Sequence, residues 1–287
     1  MMKHHLITFI FLTTVACAQT LDVKKEVFVP ISPGEIRFFE FPTPKNNAKL
    51  TCKGQEIKYH VHGENALAIV AASYFSLIKN FGCQVQQDDH NSYKITFVVK
   101  KRKYKLEKFF VDPKKIKPTS EEEKKRASDE QEILDKIYSN SVEEFLFQKP
   151  FIKPMNSKVT SYYGVRRIYN PGTKDEKNGQ HLGTDFRAAI GENVPAANRG
   201  KVVFAGDLFY TGWTVIIDHG LEVFSVYGHL SKTLVNAGDI VDRGQMIAHS
   251  GNTGRSSAPH LHWGVKVQGQ YIDGFGLIEE SKKYYRE

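Results

Sequence analysis

Six histidines crowd the C-terminal half of this 287-residue chain: His181, His219, His229, His249, His260 and His262. Three short patterns around them carry donor atoms at useful spacings. In His181-Leu182-Gly183-Thr184-Asp185 an imidazole and a carboxylate stand one short turn apart with a flexible glycine between them. Both can then reach one ion, and both are good zinc ligands at roughly 2.0–2.2 Å. His260-Leu261-His262 puts two imidazoles on one face of an extended strand, because alternate residues share a face. Tyr227-Gly228-His229-Leu230 ends an apolar run with one more. Singly, each pattern is a weak signal, since such short runs recur by chance. Together they supply three ligands with an open fourth position, which is what catalytic zinc needs, and two further histidines for proton transfer.

The elements that must position these residues are short strands separated by glycine turns. From Phe151 to about Leu277, extended runs at 201–205, 214–218, 223–227 and 262–267 alternate with Gly206, Gly212, Gly220, Gly238 and Gly251. That spacing predicts a mainly β, antiparallel C-terminal domain over 149–287.

The ordered combination of motifs resembles the M23 family of zinc metallopeptidases, of the LytM or lysostaphin type. It rests on His181-x-Gly183-x-Asp185, on Tyr227-Gly228-His229-Leu230 and on His260-x-His262. Flanking runs agree: Ser161-Tyr162-Tyr163-Gly164-Val165-Arg166, Val194-Pro195-Ala196 with Gly200-Lys201-Val202, the Gly238 to Gln245 turn, and the glycine-rich loop Ser250 to Ser256. The resemblance covers a little under half the chain. It implies an antiparallel LytM-like β fold and one zinc per chain held by His181, Asp185 and His262. His229 and His260 become the catalytic pair beside zinc-activated water, and the substrate becomes the peptide cross-links of bacterial peptidoglycan. Some members add a tyrosine from the loop before the first ligand, for which Tyr169 is the nearest candidate. His219 and His249 match no motif and read as structural or surface residues. Two other function classes share parts of this pattern. A catalytically inactive LytM-type module that activates a cell-wall amidase typically lacks one or more of the five residues, all of which are intact here. A lipoyl-like or phosphotransferase carrier shares only the Gly238 to Gln245 turn.

The remainder of the chain reads less sharply. Residues 1–18 combine a short basic head with Lys3, an apolar stretch at 6–15 and the small residues Ala16-Cys17-Ala18, the pattern of a cleaved secretory signal. This predicts a periplasmic or secreted protein with no transmembrane helix, Cys17 as a lipidated cysteine being the alternative. Residues 19–118 predict a small α+β domain, with strands near 27–29, 36–41, 57–61 and 93–99 and a buried helix at 66–81 that stops at Gly82. Its role is either to bind wall or a partner, or to cover the groove. His60 and His62 share a strand face but have no third partner, and are read as solvent-facing. Cys52 and Cys83 either form a disulfide, as export would allow, or are buried thiols. Residues 119–148 form a charged connector whose helix begins after Ser120 as N-cap.

Forty Lys and Arg against 32 Asp and Glu give a net charge of +8. That charge favours an anionic neighbour, and the nine basic residues of 100–117, with Tyr104, Phe109 and Phe110 between them, raise nucleic-acid stacking as a possibility. With an export signal and no nucleic-acid fold motif, the expected partner is the anionic wall rather than nucleic acid.

Overall fold

The structure, a computed structural model, describes residues 27–43, 49–75, 79–86, 92–112 and 118–285. The proposed signal segment and residues 113–117 of the basic run lie outside them. No described helix is long and apolar enough to cross a membrane.

The first part of the chain is built of strands β1 (Val27–Ile31), β2 (Ile36–Pro42), β3 (Lys49–Cys52), β4 (Gln55–Ile57), β5 (Tyr59–His62), β6 (Asn65–Ala71), β7 (Phe81–Gln86) and β8 (Ser92–Val99). They form a five-stranded sheet in the order β1-β8-β7-β3-β4 and a three-stranded sheet in the order β2-β6-β5. Phe39, Phe41, Leu50, Phe97 and their neighbours fill one core shared by both sheets. Cys52 and Cys83 face each other across β3 and β7 and are joined in a disulfide, which closes the chain over a sequence separation of 31.

Of the helix predicted at 66–81, residues 66–71 lie instead in strand β6 and Phe81 opens β7, with 76–78 outside the described residues, so among the described residues this part is β rather than α+β. A short unbroken apolar run fits a buried helix and a strand buried on both faces equally well, and here the second applies. Alternate residues enter two different cores: Ala66, Ala68 and Val70 face the first, while Ile69 and Ala71 join Ile36 in the core of the C-terminal part. Gln268, from a C-terminal hairpin, donates its amide to the Ile69 carbonyl and accepts from the Ala71 N–H. It thereby satisfies β6 where β5 no longer pairs with it.

The chain then runs through β9 (Leu106–Phe109) to helix α1 (Glu121–Tyr138). Ser120 caps α1 by accepting the Glu123 N–H at 3.1 Å, as the sequence predicts. No α1 residue is fully buried. Its polar face instead fixes a hairpin of the next domain, with Arg126 on Asp207 at 2.8 Å and the Glu130 carboxylate accepting the Phe209 N–H at 2.7 Å.

The C-terminal part comprises β10 (Val159–Ser161), β11 (Arg166–Tyr169), β12 (Lys177–Gln180), β13 (Thr184–Arg187), β14 (Asn193–Pro195), β15 (Gly200–Leu208), β16 (Gly212–Asp218), β17 (Val223–Thr233), β18 (Ile240–Val241), β19 (Met246–Ser250), β20 (His260–Val267), β21 (Gln270–Ile272) and helix α2 (Gly274–Tyr284). The main sheet runs β10-β13-β20-β17-β16-β15-β18, antiparallel throughout, as the glycine-punctuated pattern predicts. Phe186, Tyr227, Leu261 and Trp263 form its core together with Phe147 and Phe151.

Helix α2 packs on β2, with Phe38 against Tyr284 and Arg37 3.7 Å from Glu280. His60 and His62, read as solvent-facing, are half-buried in this contact. His62 Nε2 lies 3.0 Å from both Glu40 Oε1 and the Tyr284 hydroxyl, and His60 packs on Phe145. Apposed surfaces from distant sequence covered a strand face that alternation alone leaves to water.

His219 is structural, as expected. It is fully buried, with Nδ1–H donating to the Arg199 carbonyl at 2.7 Å and Nε2 lying 2.8 Å from Ser225 Oγ. Burial pushes its pKa down to about 4, so the folded state holds it neutral. An unfolded chain, with a histidine pKa near ~6.5, binds the proton earlier. The stabilisation from this group is therefore complete above ~6.5 and is lost as pH falls towards about 4, by roughly 3 kcal/mol in total. Urea unfolding at pH 7.5 and pH 5 should show a smaller pH-dependent loss of stability in His219→Gln than in wild type. Equal losses would show that His219 does not titrate on unfolding.

Candidate active site

Register places the ligand candidates. Strands β13 and β20 pair with Asp185 opposite His262 and Arg187 opposite His260. The two-residue period turns Asp185, Arg187, His260 and His262 to one face, while Phe186, Leu261 and Trp263 go into the core. His181 enters from the turn just before β13. Gly183 makes this possible, because a Cβ there would lie 2.5 Å from His262 Cε1 and 2.9 Å from the Trp263 carbonyl.

Three donor atoms converge. His181 Nε2 lies 3.0 Å from Asp185 Oδ1 and 3.3 Å from His262 Nδ1, and His262 Nδ1 lies 2.9 Å from the same Asp185 oxygen. A tetrahedral ion with bonds of about 2.0–2.1 Å separates its ligands by about 3.3 Å, so these spacings fit zinc. The surroundings fit as well. His181 Nδ1 lies 3.0 Å from both the Tyr162 carbonyl and Ser161 Oγ. Donation to that carbonyl leaves Nε2 with its lone pair towards the site, the usual arrangement behind a ligating histidine. Arg167 Nη2 donates to Ser161 Oγ at 2.9 Å and sits 3.4 Å from Asp185 Oδ2. Among the described residues this is the one cluster of three or more His, Cys, Asp or Glu side chains with metal-binding spacing.

Electrostatics follow from burial and these contacts. Burial alone would raise the Asp185 carboxyl, but the adjoining His181 and His262 imidazoles hold it well below the usual carboxylate range. Burial lowers His181 despite the neighbouring Asp185. His229 is pushed down to about 3, first by burial and then by His262 and His260.

His229 reaches the site because β17 changes partners there. It pairs with β20 up to Gly228 opposite His262, then with β19 from Leu230 opposite Ser250. His229 sits at that corner with a left-handed φ of 59°, a conformation uncommon outside glycine that tends to mark functional positions. Its N–H donates to the Thr211 carbonyl at 2.6 Å, and its Nδ1 lies 2.8 Å from the Thr253 carbonyl. The corner also needs Gly251, where a Cβ would lie 2.4 Å from the Ser231 nitrogen. The His229 and His260 rings are 4.7 Å apart. His260 Nδ1 lies 2.8 Å from the Ala258 carbonyl. With both Nδ1–H groups on carbonyls, each ring keeps Nε2 for the cleft.

The cleft over these residues has a volume of about 860 Å³. One wall is the β10–β13–β20 face, and a second is the 255–259 loop with Tyr210 and Thr211. The third combines Arg167 and Tyr169 of β11 with Glu107 and Phe109 of β9, which pairs in parallel with β11. Phe109 lies under the Arg167 guanidinium at 5.6 Å and 6.1 Å from the Tyr169 ring. Arg167 and the β9 wall carry no signal in the sequence motifs, and Thr253 falls within the Ser250 to Ser256 loop with no role assigned to it there. His249 lies outside this cleft.

Residues 179–274 match Peptidase family M23. Over 122 residues the chain is 42% identical to peptidoglycan DD-endopeptidase ShyA of Vibrio cholerae, which covers 42% of this chain and 28% of that protein. Over 97 residues it is 43% identical to lysostaphin of Staphylococcus simulans, covering 33% of this chain and 20% of the relative. The match thus spans between a fifth and a little over a quarter of the length of these curated relatives. A crystal structure from Pseudomonas aeruginosa, assigned provisionally to peptidase M23, superimposes with a TM-score of 0.66 over 90% of this chain and 97% of that one. At 23% identity this likeness speaks to fold alone, and it extends through the β-rich first part. Residues 179–274 of this chain are accordingly a domain of peptidase family M23.

Proposed function

We propose that the chain is a zinc-dependent endopeptidase that hydrolyses peptide cross-links of bacterial peptidoglycan outside the cytoplasm. The observation that carries this reading is the convergence of His181 Nε2, Asp185 Oδ1 and His262 Nδ1 within hydrogen-bonding distance of one another, with His229 and His260 beside them. His181, Asp185 and His262 would hold the ion, one per chain. When bound, zinc supplies a Lewis acid that polarises the scissile carbonyl and lowers the pKa of water.

The remaining work falls to the chain. Each of His229 and His260 is anchored at Nδ1 by a backbone carbonyl, which fixes the ring and presents Nε2. That atom can accept a proton from the attacking water and return it to the leaving amine. Burial keeps His229 uncharged. Arg167 holds the second Asp185 oxygen, so the carboxylate is oriented from behind. The cleft walls align an extended peptide across the pair, and holding the reacting groups in place supplies much of the rate. The names of the relatives, a peptidoglycan DD-endopeptidase and lysostaphin, support the cross-link as substrate. The net charge of +8 suits an anionic wall.

Incubating the purified chain with peptidoglycan sacculi tests the proposal. New amino termini should appear without new reducing sugar ends. Stoichiometric zinc without released amines would instead favour a non-catalytic module that acts through an amidase.

A further inference from the structure

One rung of the sheet beside the metal site is unexplained by metal binding. The Arg187 N–H donates to the Lys158 carbonyl at 2.9 Å, and Arg187 pairs with His260 on its other side. On the opposite face Phe186 belongs to the core and Val159 packs against it, so Lys158 and Arg187 turn towards the cleft, which both line. The parallel rung one step away carries Ser161, Asp185 and His262.

The two cations are spare. Arg167 is engaged by Asp185, and Glu107, across the cleft, is paired with Lys105 at 2.7 Å. Among the described residues neither Lys158 nor Arg187 makes an ion pair or a side-chain hydrogen bond, and both are exposed. Like charges directly opposite each other in antiparallel strands are mildly destabilising. Two of them side by side in the cleft wall offer a place for an anion.

We propose that Lys158 and Arg187 form a carboxylate-binding subsite, so that the peptide taken by this cleft carries a free carboxylate close to the scissile bond. The distance follows from sheet geometry. Two residues along β13 separate Asp185 from Arg187, a step of about 7 Å, and an extended peptide advances about 3.4 Å per residue. The carboxylate thus belongs within about two residues of the bond that is cut, on the His260 side of the metal ligands. A side-chain carboxylate and a chain-terminal one share this chemistry, and Arg187 can take either in a bidentate pair. The proposal rests on the cleft being a peptide-binding site.

The experiment uses the full chain and two pairs of peptides. In one pair a side-chain carboxylate two residues from the candidate bond is replaced by its carboxamide; in the other the C-terminal carboxylate is amidated. Calorimetric Kd is measured for each, with kcat/KM where cleavage occurs. Wild type should prefer the acid of at least one pair by about tenfold, as charge-assisted hydrogen bonds predict, and the preference should shrink at high salt. In the Lys158→Gln/Arg187→Gln double variant the acid-to-amide ratio should fall to about one, while Arg187→Lys should retain part of it. The pair that discriminates identifies the source of the carboxylate. Equal binding of acid and amide by wild type, or an undiminished preference in the double variant, overturns the subsite. Peptides that bind with the expected preference but are never cut would count against the peptidase reading alone.

Discussion

His262→Ala should leave a folded protein that no longer retains stoichiometric metal and whose peptide hydrolysis falls to background. His262 Nδ1 is one of three donors, and the two atoms that remain, His181 Nε2 and Asp185 Oδ1, lie 3.0 Å apart and would close on each other as an ordinary hydrogen bond. Loss of even a supporting partner typically costs a metal site about 10–100-fold in affinity, and loss of a ligand costs more. The fold should survive, because the neighbours Leu261 and Trp263 supply the buried side chains of this strand and His262 faces the cleft. Metal analysis after dialysis, with a melting curve as control, checks the result. A variant that still carries one zinc per chain would remove His262 from the ligand set.

His229→Asn and His260→Ala should do the opposite, keeping the metal and losing about 10²–10⁴-fold in turnover, the range associated with a positioned proton-transfer group. Asparagine is the informative choice at position 229 because it tolerates the left-handed backbone that His229 adopts. A loss of rate then reports the missing imidazole rather than a rebuilt corner. Comparable turnover in either variant, with zinc bound, would take that histidine out of the chemistry.

The ligand candidates were legible in the sequence because each pair sits in a local motif. His260 and His262 need only strand alternation, and His181 and Asp185 need only a short turn. The register that brings the two pairs together spans a separation of 81 between His181 and His262, and only the family resemblance joined them. His229 was legible as the end of an apolar run, but not the change of partners at Gly228 and Leu230 that turns it into the cleft.

Elsewhere local pattern was insufficient. Residues 66–71 alternate between two cores, which a reading of one continuous apolar run cannot distinguish from a helix. Glu107 and Phe109 join the cleft through a parallel pairing with β11, and parallel pairing leaves no turn signal between its partners. The histidine pair of β5 carries no local sign of burial because its cover, Tyr284 and Phe145, comes from far along the chain.

These long-range contacts bear on how the first part of the chain relates to the cleft. Removing the residues before 149 would strip Ile36, Ile69, Ala71 and Phe147 from the core that holds Phe186 and Trp263. It would also take away the wall formed by Glu107 and Phe109. Truncation would thus reshape the cleft rather than simply uncover it.

The most direct test of the central claim is a zinc titration of the chelator-treated full chain, with amine release from sacculi followed at each addition. The metal site proposed for His181, Asp185 and His262 predicts activity that rises in proportion to added zinc and breaks at one equivalent per chain. Amine release from metal-free protein, or full zinc loading with no release, would contradict it.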